Sequence, residues 1–168
     1  MNTIYTWVSH HSLPAVYLLI TAQLAMLGHR LGDFMFQSKT MALRKSRYSH
    51  PGWDGFGWCT LHVTIYSICV CACWLTYDPL IFAAIFIPHW LIDRYSLGEL
   101  WLILIRGRTY KDAQQDGCIG SAFYALVYQK VDETLHYLCL AAVILLLRQF
   151  MIFGGSHEIS AYLGSLSR

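Results

Sequence analysis

The stretch PAVYLLITAQLAMLGHRLGDFMF, Pro14–Phe36, decides how the chain is read. Its first part is apolar and uncharged. At 1.5 Å of rise per residue the whole stretch can cross about 30 Å of hydrocarbon. It closes on an ionisable pair, His29-x-x-x-Asp33. Positions i and i+4 lie on one helix face, so both side chains can point the same way.

Three further segments repeat the apolar pattern: Phe56–Thr76 after the loop HPGWDGFG, Leu80–Arg94 after a turn at Tyr77-Asp78-Pro79, and Val131–Phe153 before Gly154-Gly155. Pro14 suits a first helical turn, and the two glycines suit a stop. The run LGELWLILIRG, Leu97–Gly107, reads as a continuation of the third helix or as an interfacial helix after a bend. Thr109–Lys130 reads as a short helix or a re-entrant piece. The expected fold is therefore all-α, a polytopic membrane protein. It is a bundle of about four transmembrane helices with one or two interfacial helices. It forms a single domain over 1–168, with spans at about 14–36, 56–76, 80–94 and 131–153.

Composition points the same way. Hydrophobic residues make up 56% and charged residues 13% of the 168, against roughly 25% charged in ordinary soluble domains. A net charge of +2 with clustered basic residues gives no footprint for nucleic acid, and none is expected as a partner. Cys69, Cys71 and Cys73 share one apolar run, Cys59 opens it, and Cys139 lies in another. Cysteines there act as small hydrophobes. Spacing them by two on a helix turns successive thiols about 200° apart, which disfavours a thiolate metal cluster. Met1–Leu13 has no Lys or Arg, so the basic region of a cleavable signal peptide is missing and the first span is expected to be retained.

Basic residues set the expected orientation. Lys39, Arg44, Lys45 and Arg47 follow the first span, and Arg106, Arg108, Lys111 and Lys130 follow the third. The N-terminal tail and the Tyr77 turn have none. Both basic loops are then cytoplasmic and both termini lie outside the cytoplasm, with Arg148 and Arg168 as minor dissent. Trp53, Trp58 and Trp101 suit interfacial anchors.

Three pairs carry the chemistry: His29/Asp33, His89/Asp93 and Asp132/His136, with His62 in the second span. Given that topology, all seven fall in the cytoplasmic third of the bilayer. An Asp at membrane depth costs about 2.5–3.5 kcal/mol on insertion scales, so such groups face inward, pair or bind something. Imidazoles and carboxylates suit a divalent ion such as zinc, manganese or iron, and helical bundles gather such ligands from facing helices. One or two ions are expected on His29, Asp33, His62, His89, Asp93, Asp132 and His136. Asp33, Asp93 and Asp132 are the candidate catalytic carboxylates. Blander readings compete: isolated histidines that pack and hydrogen-bond, Asp93 paired with Arg94, and Asp132 capping the fourth helix. Arg30, Gln37, Lys39 and Arg94 are candidates for binding a phosphate, with interfacial snorkelling as the alternative. His10, His11, His50 and His157 fall in tails or loops and receive no role.

The run GHRLGDFMFQSKTMALRK, an apolar span with His62, then HWLIDR and DETLH resemble a set of small bacterial and phage membrane proteins grouped as domain of unknown function 3307. The resemblance covers roughly Gly28–His136. It implies His29, Asp33, Gln37, His62, His89, Asp93, Asp132 and His136 as the family pattern. Glu133 replaces the usual Gln, and Arg30 is unusual beside His29. It also implies a bacterial inner membrane, or the host inner membrane for a phage-encoded chain. A looser similarity, in His/Asp-rich helices alone, is to predicted membrane-bound metal-dependent hydrolases.

The function expected first is a metal-dependent hydrolase. It would cleave an ester or phosphoester of a lipid or lipid-linked substrate at the cytoplasmic face, with a free carboxylate or histidine as general base. A non-catalytic membrane interaction protein with a structural metal, an ion or metal transporter, and a redox di-iron enzyme are the alternatives. Membrane lipid is the expected partner, and self-association is left open.

Overall fold

The computed structural model describes the backbone of residues 2–166 and the side chains of residues 16–147. The described residues form helices and no strands. They run as α1 (Asn2–Arg30), a π-helical turn (Leu31–Met35), α2 (Lys39–Arg44), α3 (Trp53–Cys73), α4 (Pro79–Tyr95), α5 (Leu97–Arg106), α6 (Tyr110–Gln115) and α7 (Gly117–Leu166). His10, His11 and His157, and the placement of the termini, lie outside the residues whose side chains are described.

Local signals set most of the boundaries. The Ser38 hydroxyl accepts from the Met41 amide at 3.2 Å and opens α2. Asp78 accepts from the Leu80 amide at 2.7 Å, with Pro79 next to it, and opens α4. Thr109 and Asp112 form a reciprocal capping box at the start of α6. Between α4 and α5 Ser96 takes a left-handed conformation (φ 48°), and the two helices bend by 56°. The Leu97–Arg106 run is therefore a separate helix after a bend.

Three expectations need correction. α1 begins at Asn2 rather than Pro14. Residues 117–130 belong to neither a short separate helix nor a re-entrant piece: they are the first turns of α7, which continues through 131–153 and past Gly154-Gly155. Asp132 is thus interior to a helix and caps nothing.

α3 packs against both α1 and α4, and α7 packs against α1, α4 and α5. One half of this bundle is filled by Ala25, Val70, Ile85, Leu140, Val143 and Ile144. Tyr66, at 1% exposure, divides that apolar core from a polar half holding the buried His29, His62, His89, Asp93 and His136. α1 approaches α3 backbone to backbone at two glycines. A Cβ on Gly28 would lie 2.6 Å from Val70 Cα, and one on Gly32 would lie 2.7 Å from Tyr66 Cα.

Among the described residues α3 alone is long and apolar enough to cross a membrane, and α4 with α5 would make a second if the bent pair is one span.

Candidate metal centre

Each donor sits where helix geometry puts it on the inner face. Asp33 lies in the π turn, whose extra residue re-aims the chain after His29. His62 lies in α3, His89 and Asp93 are one turn apart on α4, and Asp132 and His136 are one turn apart on α7. Pro88 precedes His89 inside α4; lacking an N–H, it removes one helical hydrogen bond there.

The tightest part of the cluster joins two imidazoles and two carboxylates. His62 Nε2 is 3.3 Å from His89 Nε2. Asp93 Oδ2 is 3.1 Å from the first and 3.2 Å from the second. Asp33 Oδ1 is 3.2 Å from His62 Nε2 and 3.6 Å from His89 Nε2. Donors held about 2.0–2.1 Å from a tetrahedral ion lie about 3.3 Å from one another, so these spacings suit donors that share one ion.

The rest of the cluster is looser. His136 Nε2 is 3.7 Å from Asp93 Oδ1, and His136 Nδ1 is 3.7 Å from Asp132 Oδ2. Three overlapping donor groups result: Asp33/His89/His136, His62/His89/Asp93 and Asp93/Asp132/His136. His29 belongs to none of them. Its Nδ1 is 3.5 Å from Asp33 Oδ2 and 3.3 Å from the Tyr66 hydroxyl, so it holds a ligand rather than joining the group.

Buried polar atoms without partners support a cation. Asp132 Oδ1 and both ring nitrogens of His136 are buried and lack a hydrogen bond. Such atoms are rare in native interiors, and a bound ion is one of the few explanations. The residues present fit a divalent ion.

Three side chains around the donors complete the geometry. Gln37 donates to the Asp33 carbonyl at 3.2 Å, and its amide oxygen lies 3.3 Å from His62 Nδ1 and 3.1 Å from Lys45 Nζ. The same oxygen lies 3.2 Å from His62 Nε2, so Gln37 sits against the ring edge between the two nitrogens. Lys45 Nζ meets Asp93 Oδ1 at 2.9 Å. Burial alone would weaken this ammonium, but the carboxylates of Asp93, Asp33 and Asp132 outweigh burial and hold its pKa above the ordinary lysine value. The Tyr66 ring packs against His89 at a 37° tilt, with ring centroids 3.7 Å apart. Sequence reasoning assigned Lys45 to the basic loop alone and Tyr66 to no role. The GxxxG spacing of Gly28 and Gly32 was the available signal for the close α1–α3 contact.

Of the four candidate substrate residues, only Gln37 joins the cluster. Arg94 is buried, and its guanidinium donates to the carbonyls of Lys45 (3.3 Å), His50 (3.1 Å) and Gly52 (3.2 Å). It therefore pairs with neither Asp93 nor a ligand in the cavity. Arg30 and Lys39 are exposed and do not line the cavity beside the donors. That cavity has a volume of about 260 Å³. His29, Asp33, Gln37, Lys45, Asp132 and Glu133 line it, and exposed Phe34, Ala42 and Gln129 stand at its rim. The cysteines are free thiols, and none joins a donor group.

These features define a class: an all-helical chain with a buried His/Asp cluster able to hold a metal ion. The chain belongs to the family described as protein of unknown function (DUF3307), whose model matches residues 19–157. The match spans every donor. Neither a curated relative nor a solved structure matches the chain.

Proposed function

We propose that the chain is a membrane-embedded, divalent-metal-dependent hydrolase acting on an ester or phosphoester of a lipid or lipid-linked substrate at the cytoplasmic face. The observation that carries this reading is the 260 Å³ cavity, whose wall includes Asp33 and Asp132 of the donor cluster. Structural metal sites are closed by protein ligands, whereas catalytic ones keep a position open toward a space that a substrate can enter.

The membrane part of the reading rests on an inverted polarity. Side chains such as Leu19 (65% exposed), Leu80 (78%) and Leu146 (59%) face outward, while His29 and His62 are fully buried. Water would not tolerate so large an apolar exterior, and lipid favours it. The proposed bundle has α1, α3, α4 and α7 as spans, with α5 at the interface. The Arg47 amide donates to the Arg94 carbonyl at 2.8 Å, so the first basic loop meets the end of α4 that leads to the second. Both then lie on one side, as the positive-inside rule requires.

A divalent ion bound by His62, His89, Asp33 and Asp93 supplies Lewis acidity and an activated water at neutral pH. Asp132 stands on the cavity wall with Oδ1 unpartnered and serves as the general base. Gln37 and His29 hold the ligands in place. A transport reading has less support, because beyond Tyr66 the bundle interior is packed with Val70, Ile85, Leu140 and Val143.

The test uses purified protein in nanodiscs, metal-loaded or chelated, with a panel of lipid phosphoesters and carboxyl esters. Metal-dependent product release is expected, and Asp33→Ala and Asp93→Ala should each abolish it. Turnover retained in both variants would end the reading. Absence of turnover in loaded protein, with chelation melting the bundle, would favour the non-catalytic interaction protein whose metal ties four segments together.

A further inference from the structure

We propose that Lys45 is a built-in second cation of this centre, so that the site takes one divalent ion and not two. The inference rests on the metal-site reading above and deepens it.

The two oxygens of Asp93 face different partners. Oδ2 sits 3.1 and 3.2 Å from the Nε2 atoms of His62 and His89, where one ion fits. Oδ1 lies 2.9 Å from Lys45 Nζ, on the side where a carboxylate bridging two metals would meet the second ion. His136 approaches that same side more loosely, its Nε2 3.7 Å from Asp93 Oδ1, while its Nδ1 lies 3.7 Å from Asp132 Oδ2. The ammonium thus stands among the donors that a second ion would use.

Charge balance decides between the two stoichiometries. Asp33, Asp93 and Asp132 bring three negative charges to the interior, while Glu133 has its own partner in Lys130 at 2.8 Å. Lys45 and one divalent ion balance the three carboxylates. A second divalent ion beside Lys45 would leave two uncompensated positive charges in a largely buried site, where unpaired charge is disfavoured.

The fold is also arranged to deliver this lysine inward. A lysine at an interface ordinarily extends its ammonium toward water. Here the side chain is only 14% exposed, and it donates to the Gln37 amide oxygen at 3.1 Å. Its main chain is clamped from both sides: the amide donates to the Met41 carbonyl at 3.0 Å, and the carbonyl accepts from Arg94 at 3.3 Å. Arg94 directly follows Asp93, so the turn of α4 that supplies the ligand also positions the lysine. Because Lys45 lines the cavity, its remaining donor capacity suits an anionic oxygen of the phosphate type on the substrate.

Elemental analysis of purified wild-type protein should give one divalent ion per chain. Two ions would overturn this inference and leave the hydrolase reading standing, whereas no ion would remove the metal-site reading itself. Lys45→Gln removes a positive charge beside the ion. It should hold the metal at least tenfold more tightly in chelator competition. It should also lose at least tenfold in affinity for inorganic phosphate, read from thermal stabilisation. Lys45→Arg should keep both properties near wild type. A folded Lys45→Gln protein that holds metal no more tightly, or binds phosphate equally well, would overturn the proposal. Wild-type stoichiometry decides the matter even if that variant does not fold.

Discussion

Asp93 carries more of the site than any other side chain, because both of its oxygens are engaged within a fully enclosed position. Replacing it with Ala strands the Lys45 ammonium without its nearest counter-charge. Breaking one side of a buried pair costs about 3–5 kcal/mol. Asp93→Ala should therefore lower unfolding stability by about that amount, as well as losing the metal, and Asp93→Ala with Lys45→Ala should recover part of it. Denaturant titration in detergent, followed by circular dichroism, measures both. Arg30→Ala and Lys39→Ala should change turnover less than twofold, since both side chains are exposed and off the cavity wall. The residues visible in the sequence were those with a helical signature: four-residue spacing put Asp33, Asp93 and Asp132 on the same faces as their histidines. Lys45 had no such signature. A lysine in a loop reads as a topology signal, and only the Arg94 clamp turns it inward. The same clamp removed Arg94 from the substrate residues.

At the scale of elements, the close approach of α1 to α3 depends on two glycines. Gly28 and Gly32 let α1 and the π turn meet the α3 backbone at Val70 and Tyr66. Gly32→Val forces the pair apart. Overpacking of this kind costs about 1–3 kcal/mol. The expected result is an earlier onset of thermal aggregation together with weaker metal binding, because Asp33 and His62 lie on the two separated elements; an unchanged melting profile would contradict the close contact. The apolar cores of the helices were legible from composition, and the Asp78-Pro79 turn fixed α4 to within a residue at each end, but the ends of α1 and α7 were not legible. α7 runs from Gly117 through a polar stretch because its early turns pack on α5 and α6, a tertiary contact with no periodic signature in the chain. The π turn was equally hidden, since it adds one residue without any marker of type.

Across the whole molecule, the donors come from residues widely separated in the chain, so an ion held among them would stabilise the bundle as a unit. At a free metal concentration about a thousandfold above the dissociation constant, linkage contributes roughly 4 kcal/mol. Chelation should lower the melting temperature in detergent, and re-addition of metal should restore it. Orientation has its own check. Cys118 is exposed at the start of α7, beside the second basic loop. In a background without the other cysteines, a membrane-impermeant maleimide should label it in inverted vesicles and not in intact cells; the reverse pattern would refute cytoplasmic basic loops. The order in which the donors are made has a further consequence. His136 emerges from the ribosome last, after His29, Asp33, His62, His89 and Asp93, which on the proposed membrane reading would by then have entered the bilayer. Until then each earlier helix carries an ionisable side chain with an incomplete set of partners, at a cost of about 2.5–3.5 kcal/mol for each Asp. On the same reading the four proposed ligands are complete at Asp93, before α7 is made, so an ion could load early; a cell starved of that metal should accumulate inserted but loosely associated helices, open to membrane proteases.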